Sequence, residues 1–362
     1  MMMTKATYFF WGLTVLAFIG TVYLFQSVLL PFVLGGAIAY LLDPIVERLA
    51  KWGLSRGTSA FIILGLFFLV VAGILVLIVP ILVREAGEFI ESAPGYAKKI
   101  WEMAEPHIAW VQEKIGHKIT SDEIQSVLEE NASKAMQVGK GVLGGITSGG
   151  LALLDFFTTL LITPVAAYFL LKEWQNVTGW IYDILPRRSA ATIKGLLGKI
   201  DGKIAGFIRG QSMVCLALGF IYAIALSIAG LNYGFVIGMA TGVLSIIPFV
   251  GSAFGLVASV AVAFLQSGGD WPFVAIIAGI FFVGQFVEGN FITPKLIGDS
   301  VGLHPLWIIF ALMAGGSLMG LVGMFLSVPL AASIGVVAVF AIEHYKKSLY
   351  YNDGLNGAGD VA

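Results

Sequence analysis

The chain has little charge and almost no cysteine. Of its 362 residues, Asp, Glu, Lys and Arg make up only 12%, about half the share of an ordinary soluble domain. The single cysteine, Cys215, lies in an apolar run, which excludes a disulfide framework and a cysteine-based metal site. Basic residues are not in excess either. The formal net charge is −1, so the clustered Lys and Arg that hold a phosphate backbone are missing and nucleic acid is not an expected partner. The histidines, His107, His117, His304 and His344, have neither HExxH spacing nor cysteine companions, so no catalytic metal is expected. No Walker A sequence is present. The stretch Gly139-Lys140-Gly141-Val142-Leu143-Gly144 fits GxGxxG but follows no predicted strand. ATP hydrolysis and intramembrane enzymology therefore lack machinery, and neither catalytic residues nor a cofactor are expected.

What fills the space is apolar. Hydrophobic residues make up 58% of the chain and the mean hydropathy is +0.92, more apolar surface than a soluble fold could use. Runs long enough to cross a bilayer, each needing about 20 residues, occur at 8–30, 31–46, 58–83, 150–171, 211–229, 231–265, 272–292 and 305–342. The expectation is an all-α polytopic membrane protein with about eight transmembrane helices. The first run is too long for a signal-peptide core and lacks a small-residue cleavage site, so it reads as a retained span. Pro31 suits the first turn of the second span, and Asp43, Pro44, Glu47 and Arg48 mark its polar exit.

These runs divide the chain into residues 1–83 with three spans, an extracytoplasmic amphipathic segment at 84–148, a transmembrane core at 149–346, and a tail at 347–362. The 84–148 segment carries Ile100, Met103, Ile108, Val111 and Ile115 at helical spacing. In it Thr120-Ser121-Asp122-Glu123 reads as a capping box for a second helix. It is either a surface-lying amphipathic pair or a recognition lid. Within the core, 187–210 reads as a basic cytoplasmic helix. Arg48, Lys51 and Arg56, the basic residues of 187–210, and Lys346 with Lys347 all fall on one side when spans alternate, which places both termini in the cytoplasm. The runs 231–265 and 305–342 exceed one straight crossing, so broken or re-entrant helices are expected there, with Pro248 and Pro329 as the breakers.

Glycine is abundant, at 45 residues, and it recurs at four-residue spacing in three ladders. These are Gly141, Gly145, Gly149; Gly198, Gly202, Gly206, Gly210; and Gly230, Gly234, Gly238, Gly242. Each ladder forms a stripe on one helix face, as close packing of helix backbones requires. Charges beside the hydrocarbon layer are few: Asp43, Asp155, Arg209, Glu288 and Lys295. Each needs a partner, water or protonation, because a charge at mid-membrane is costly. Glu288, Gln285 and Asn290 cluster at the end of the seventh run, followed by Pro294 and Lys295; the cluster is either a solute or proton site or an interfacial cap.

The second half also carries specific motifs: Arg209-Gly210-Gln211-Ser212, Ile246-Ile247-Pro248-Phe249-Val250-Gly251, and Val287-Glu288-Gly289-Asn290-Phe291-Ile292-Thr293-Pro294-Lys295. Gly302-Leu303-His304-Pro305, Ala314-Gly315-Gly316-Ser317 and Val328-Pro329-Leu330-Ala331 follow. Together with Ala39-Tyr40-Leu41-Leu42-Asp43-Pro44 and Thr163-Pro164-Val165, they closely resemble the autoinducer-2 exporter family of bacterial permeases. The resemblance implies a multi-pass permease of the bacterial inner membrane, assembled as a homo-oligomer, that moves a small polar solute such as autoinducer-2. Some members of that family resemble sodium or lithium/proton antiporters. For a polar solute, Gln211, Gln285, Glu288, Asn290 and backbone exposed between Pro248 and Gly251 and between Pro294 and Gly298 supply hydrogen bonds in a dry core. For cation exchange, Asp155 and Glu288 are the candidate carboxylates. A passive oligomeric channel or a membrane scaffold is the competing class.

Overall fold

The computed structural model describes residues 28–115, 150–187, 189–298, 302–348 and 351, with residues 13, 17, 20, 21, 24 and 25. Most of the expected first span, the capping box at Thr120, the first glycine ladder and the tail beyond 351 lie outside the described residues. The regular elements are helices: α1 Leu29–Lys51, α2 Arg56–Ile115, α3 Gly150–Ile184, α4 Ala190–Ile228, α5 Gly234–Leu244, α6 Val250–Ser267, α7 Trp271–Val287 and α8 Pro305–Lys346. Among the described residues, six helices are long and apolar enough to cross a membrane. The chain is an all-α polytopic membrane protein.

Two expected boundaries fall inside helices. The span at 58–83 and the segment after it are one helix as far as Ile115, which runs on through Pro80 and Gly87. Likewise the basic stretch expected as a separate helix at 187–210 is the first half of α4, whose 39 residues run on through the apolar stretch to Ile228. At about 1.5 Å per residue such a helix far exceeds the roughly 30 Å hydrocarbon core, so one end of α4 stands outside it.

Both over-long runs are broken, and each doubles back. In the first, α5 has only 11 residues, a rise of about 16 Å that reaches roughly half-way across the core. The chain leaves helical geometry at 245–249, where Phe249 has φ 68°, and returns as α6. The return is fixed at its far end by Gln266, which accepts from Asn232 N at 2.8 Å and donates to the Gly230 carbonyl at 2.8 Å. The ends of the α5–α6 hairpin therefore lie side by side.

The second run reverses elsewhere than expected. Pro329 is buried within a continuous helical arm, whereas Met319 and Gly320 depart from helical dihedrals, Gly320 with φ 58° and ψ −136°. The arms on either side fold onto each other: a Cβ on Gly323 would collide with the Gly315 carbonyl, and one on Gly315 with Ser327. Glycine at 320 adopts a backbone region that side chains make costly. It is the backbone conformation at 320, more than the proline, that decides where α8 turns.

Close backbone contact also binds α5 to α4. Cβ atoms on Gly234, Gly238 and Gly242 would meet the backbones of Leu226, Ala223 and Gly219 respectively. Gly230 stands apart in the preceding turn with φ 78° and open space around it. In the α4 ladder, Gly198 and Gly202 face open space, so the expected packing stripe is absent at those two positions. A Gly238→Ala substitution is expected to cost about 1–3 kcal/mol through overpacking. Gly65→Ala, in an open helical position, should gain about 0.5–1 kcal/mol. Thermal unfolding of the two variants in the same detergent checks the opposite signs.

Candidate functional site

Contacts divide the chain into two units. One comprises residues 66–157 and 211–296, the other residues 1–65, 158–210 and 297–362. In the first unit, the non-helical tip of the α5–α6 hairpin meets a polar side chain from α4. Gln211 is buried and donates its amide to the Ser245 carbonyl. That carbonyl sits where α5 ends, so it lacks a full set of helical partners. Ser245 Oγ in turn donates to the Thr241 carbonyl at 2.7 Å, and Thr241 Oγ1 to the Ile237 carbonyl at 2.7 Å. Gly251 lies so near that a Cβ would strike Ser245 Oγ. Gln211, Ser245 and Gly251 are thus one constellation, with Pro248 in the loop between the last two.

Further along the same helix stands Tyr222, fully buried and stacked on Phe281 of α7 with ring centres 4.6 Å apart. Gly284 makes room for it, since a Cβ there would overlap the phenol. The Tyr222 hydroxyl is buried without a hydrogen-bond partner, and Gln285 and Glu288 are the polar groups beside it. Gln285 donates to Glu288 Oε2 at 2.7 Å. An orphaned buried hydroxyl is costly unless something hydrogen-bonds it.

Glu288 opens a π-helical turn, Glu288–Ile292, that follows α7 directly and leads into the short helix Thr293–Leu296. The Thr293 amide donates to the Glu288 carbonyl, five residues back. Pro294 follows at once and has no amide hydrogen to give to a carbonyl in this turn, so the proline and the wide turn belong together. Asn290 donates to the Phe286 carbonyl at 2.8 Å. The break expected between Pro294 and Gly298 falls at the far end of that stretch: the helix continues to Leu296 and ends near Gly298, which has φ 54°. Asn290, Pro294 and Lys295 are exposed. Asp155 lies in α3, and its side chain is outside the described set.

The second unit holds a polar network that sequence reasoning largely missed. Arg56 donates Nη2 to Asp43 Oδ1 at 2.6 Å and Nε to the Leu171 carbonyl at 2.7 Å, pinning α2 to both α1 and α3. Tyr40 donates its hydroxyl to Asp201 at 2.8 Å, while Arg209 Nε donates to the Tyr40 carbonyl at 2.8 Å. Tyr40 also meets Trp174 edge-on. Tyr40, Asp43, Trp174, Asp201 and Arg209 line a cavity of about 60 Å³, space for a few waters. Charge pairing explains Asp43. Asp201 had no signal beyond its place in a basic stretch, and Tyr222 none beyond an aromatic in an apolar run.

Fold and site together define a multi-pass helical membrane protein whose broken helices turn backbone carbonyls toward buried polar side chains. The chain belongs to the AI-2E family transporters, whose profile matches residues 13–342; it is a membrane transporter. It is 29% identical over 317 residues to YrrI of Bacillus subtilis (strain 168), covering 87% of this chain and 86% of that protein. It is 26% identical over 322 residues to PerM of Escherichia coli (strain K12), covering 88% of each. Those two are provisionally named a transport protein and a permease. The AI-2 transport protein TqsA of Escherichia coli (strain K12) is 21% identical over 315 residues, covering 86% of this chain and 85% of that one.

Gln211→Met keeps the volume near α4 but removes the donor, leaving the Ser245 carbonyl without this partner. The expected cost is about 1–3 kcal/mol, with faster hydrogen exchange confined to residues 241–251. Exchange measured by mass spectrometry on the purified variant checks both.

Proposed function

We propose that this chain is a secondary permease for a small polar solute, with autoinducer-2 as the first candidate, and that the solute meets the constellation around the α5–α6 tip. The observation that carries the reading is the break at 245–249, whose Ser245 carbonyl is held by the buried Gln211. Unwound backbone at membrane depth is tolerated where protein or a water-filled cavity satisfies it, and transporters use such breaks to bind solutes. Gln211, the Tyr222 hydroxyl, Gln285 and Glu288 supply donors and acceptors beside it, while Asn290 and Lys295 extend the polar side of the α7 end. The name of TqsA supports autoinducer-2 as the solute to try first.

Glu288 is the residue we assign to proton coupling. It is the carboxylate that stands beside the orphaned Tyr222 hydroxyl, and exchange of its proton for sodium or lithium is the competing use of the same group.

The basic residues support a bacterial inner-membrane orientation with both termini in the cytoplasm. If 8–30, α1, α2, α3, α4 and α7 cross and both hairpins return to their own side, the crossings are even in number, as that orientation requires. We place the working protein in a homo-oligomer on the family resemblance.

The test is solute flux into liposomes containing the purified protein, with and without an imposed proton gradient, while internal pH is recorded. Saturable, gradient-driven autoinducer-2 uptake with matching proton movement is expected. Glu288→Gln is expected to abolish the gradient dependence while the protein still assembles. Flux that does not saturate would make the chain a passive channel. Proton movement that appears only with sodium or lithium would make it an antiporter.

A further inference from the structure

The polar cavity between α1, α3 and α4 is not used by the reading above. It lies within the unit formed by residues 1–65, 158–210 and 297–362. Tyr40, Asp43, Trp174, Asp201 and Arg209, which line it, are all half-buried, so they stay within reach of a molecule from outside. Gly36 completes one side, and a Cβ there would come no nearer to a neighbour than 3.8 Å, at Leu170 Cδ1. At roughly 10–15 Å³ for each water, the 60 Å³ of the cavity holds about four or five waters, the bulk of a polyol of about four carbons.

We infer that this cavity binds a small, neutral, polyhydroxylated solute. Charge decides against an ion of either sign. An anion would face the carboxylates of Asp43 and Asp201, and a cation would face the Arg209 guanidinium; neither recovers what it loses by leaving water. Hydroxyls suit both kinds of wall, because each donates one hydrogen bond and accepts others. The lining has capacity in both directions. Asp201 receives the Tyr40 hydroxyl on one oxygen at 2.8 Å, and a carboxylate has lone pairs for further donors. Arg209 gives Nε to the Tyr40 carbonyl at 2.8 Å, and a guanidinium has further N–H groups in the same plane. Asp43 is held in the wall by Arg56. Tyr40 and Trp174, edge-on with ring centres 5.7 Å apart, offer apolar surface to a carbon skeleton. An apolar wall with a few fixed polar groups is what orients a small polar molecule.

The test uses the full-length protein in detergent with fluorotryptophan in place of tryptophan, the Trp174 resonance being identified by its loss in Trp174→Phe. Erythritol is the neutral probe, with sodium chloride and sodium phosphate titrated separately. Fluorine shifts are read at Trp174 and at the exposed Trp307. Binding is read without flux, so the site stands or falls apart from the permease reading. Erythritol is expected to shift Trp174 saturably, while Trp307 follows only the bulk solvent. Asp201→Asn keeps an oxygen for the Tyr40 hydroxyl but removes the charge, and should weaken erythritol about ten-fold. Gly36→Ala has room for its methyl but takes the place of about one water, and should weaken erythritol about ten-fold or more without a lower melting temperature. A Trp174 shift that never saturates, or one that either salt reproduces, overturns the assignment. So does unchanged erythritol affinity in either variant.

Discussion

A polypeptide in hydrocarbon must satisfy its own backbone, and the interruptions of this structure are arranged around that constraint. An unbroken helix meets it automatically; a break does not. At 245–249 the exposed acceptor is the Ser245 carbonyl, and the protein answers with the buried amide of Gln211. Along the arms, hydroxyls fold back onto the helix: Ser327 onto the Gly323 carbonyl at 2.6 Å and Ser333 onto the Pro329 carbonyl at 2.7 Å. Such side chains hide their own polarity while adding acceptor contacts to turns that a nearby proline or break has weakened.

The same constraint explains the glycines. A hairpin of helices buried in an apolar medium gains nothing from hydrophobic exclusion among its arms, because lipid is as apolar as leucine; it holds together by close van der Waals contact. Contact that close leaves no room for a Cβ at Gly238, Gly242, Gly315 or Gly323. Gly284 serves a related end. By vacating its side-chain volume it lets Tyr222 lie flat on Phe281, which buries the phenol ring and strands its hydroxyl. Packing and polarity are coupled at that point: the contact that fixes α4 against α7 is the one that leaves a donor unspent.

The class of fold was legible because it depends on composition and run length, which are properties of the residues alone. So was the breaking of the two long runs, since no straight helix of that length fits the bilayer. Where each run breaks was only half legible. Pro248 stands at the observed tip, yet Pro329 is housed inside a helical arm and the turn falls at Met319 and Gly320. Proline forbids one hydrogen bond, while a reversal needs a backbone that can take a positive φ. Among 45 glycines the sequence does not single out the one that does. The third ladder likewise mixed two roles, with Gly230 in a turn and Gly234, Gly238 and Gly242 against α4. The pairing of Tyr40 with Asp201 and of Arg56 with Asp43 escaped notice because it joins different helices, at separations such as the 161 residues between Tyr40 and Asp201.

The turn at Glu288 shows how such local frustration becomes chemistry. Pro294 has no amide hydrogen, so a regular α-helical ladder through 288–294 could not be completed. The chain widens into a π turn instead, and the Thr293 amide reaches back five residues to the Glu288 carbonyl. Widening shifts the register of the side chains that follow the turn, while Glu288, at its start, keeps the helical place that α7 gives it. Gln285, one turn before, then pairs with the Glu288 carboxylate rather than with backbone. A proline that merely ended α7 would have left this carboxylate at a frayed terminus. Set just beyond a continuous wide turn, it instead holds Glu288 and Gln285 together on the helix that also carries Phe281 and Gly284, beside the buried phenol of Tyr222.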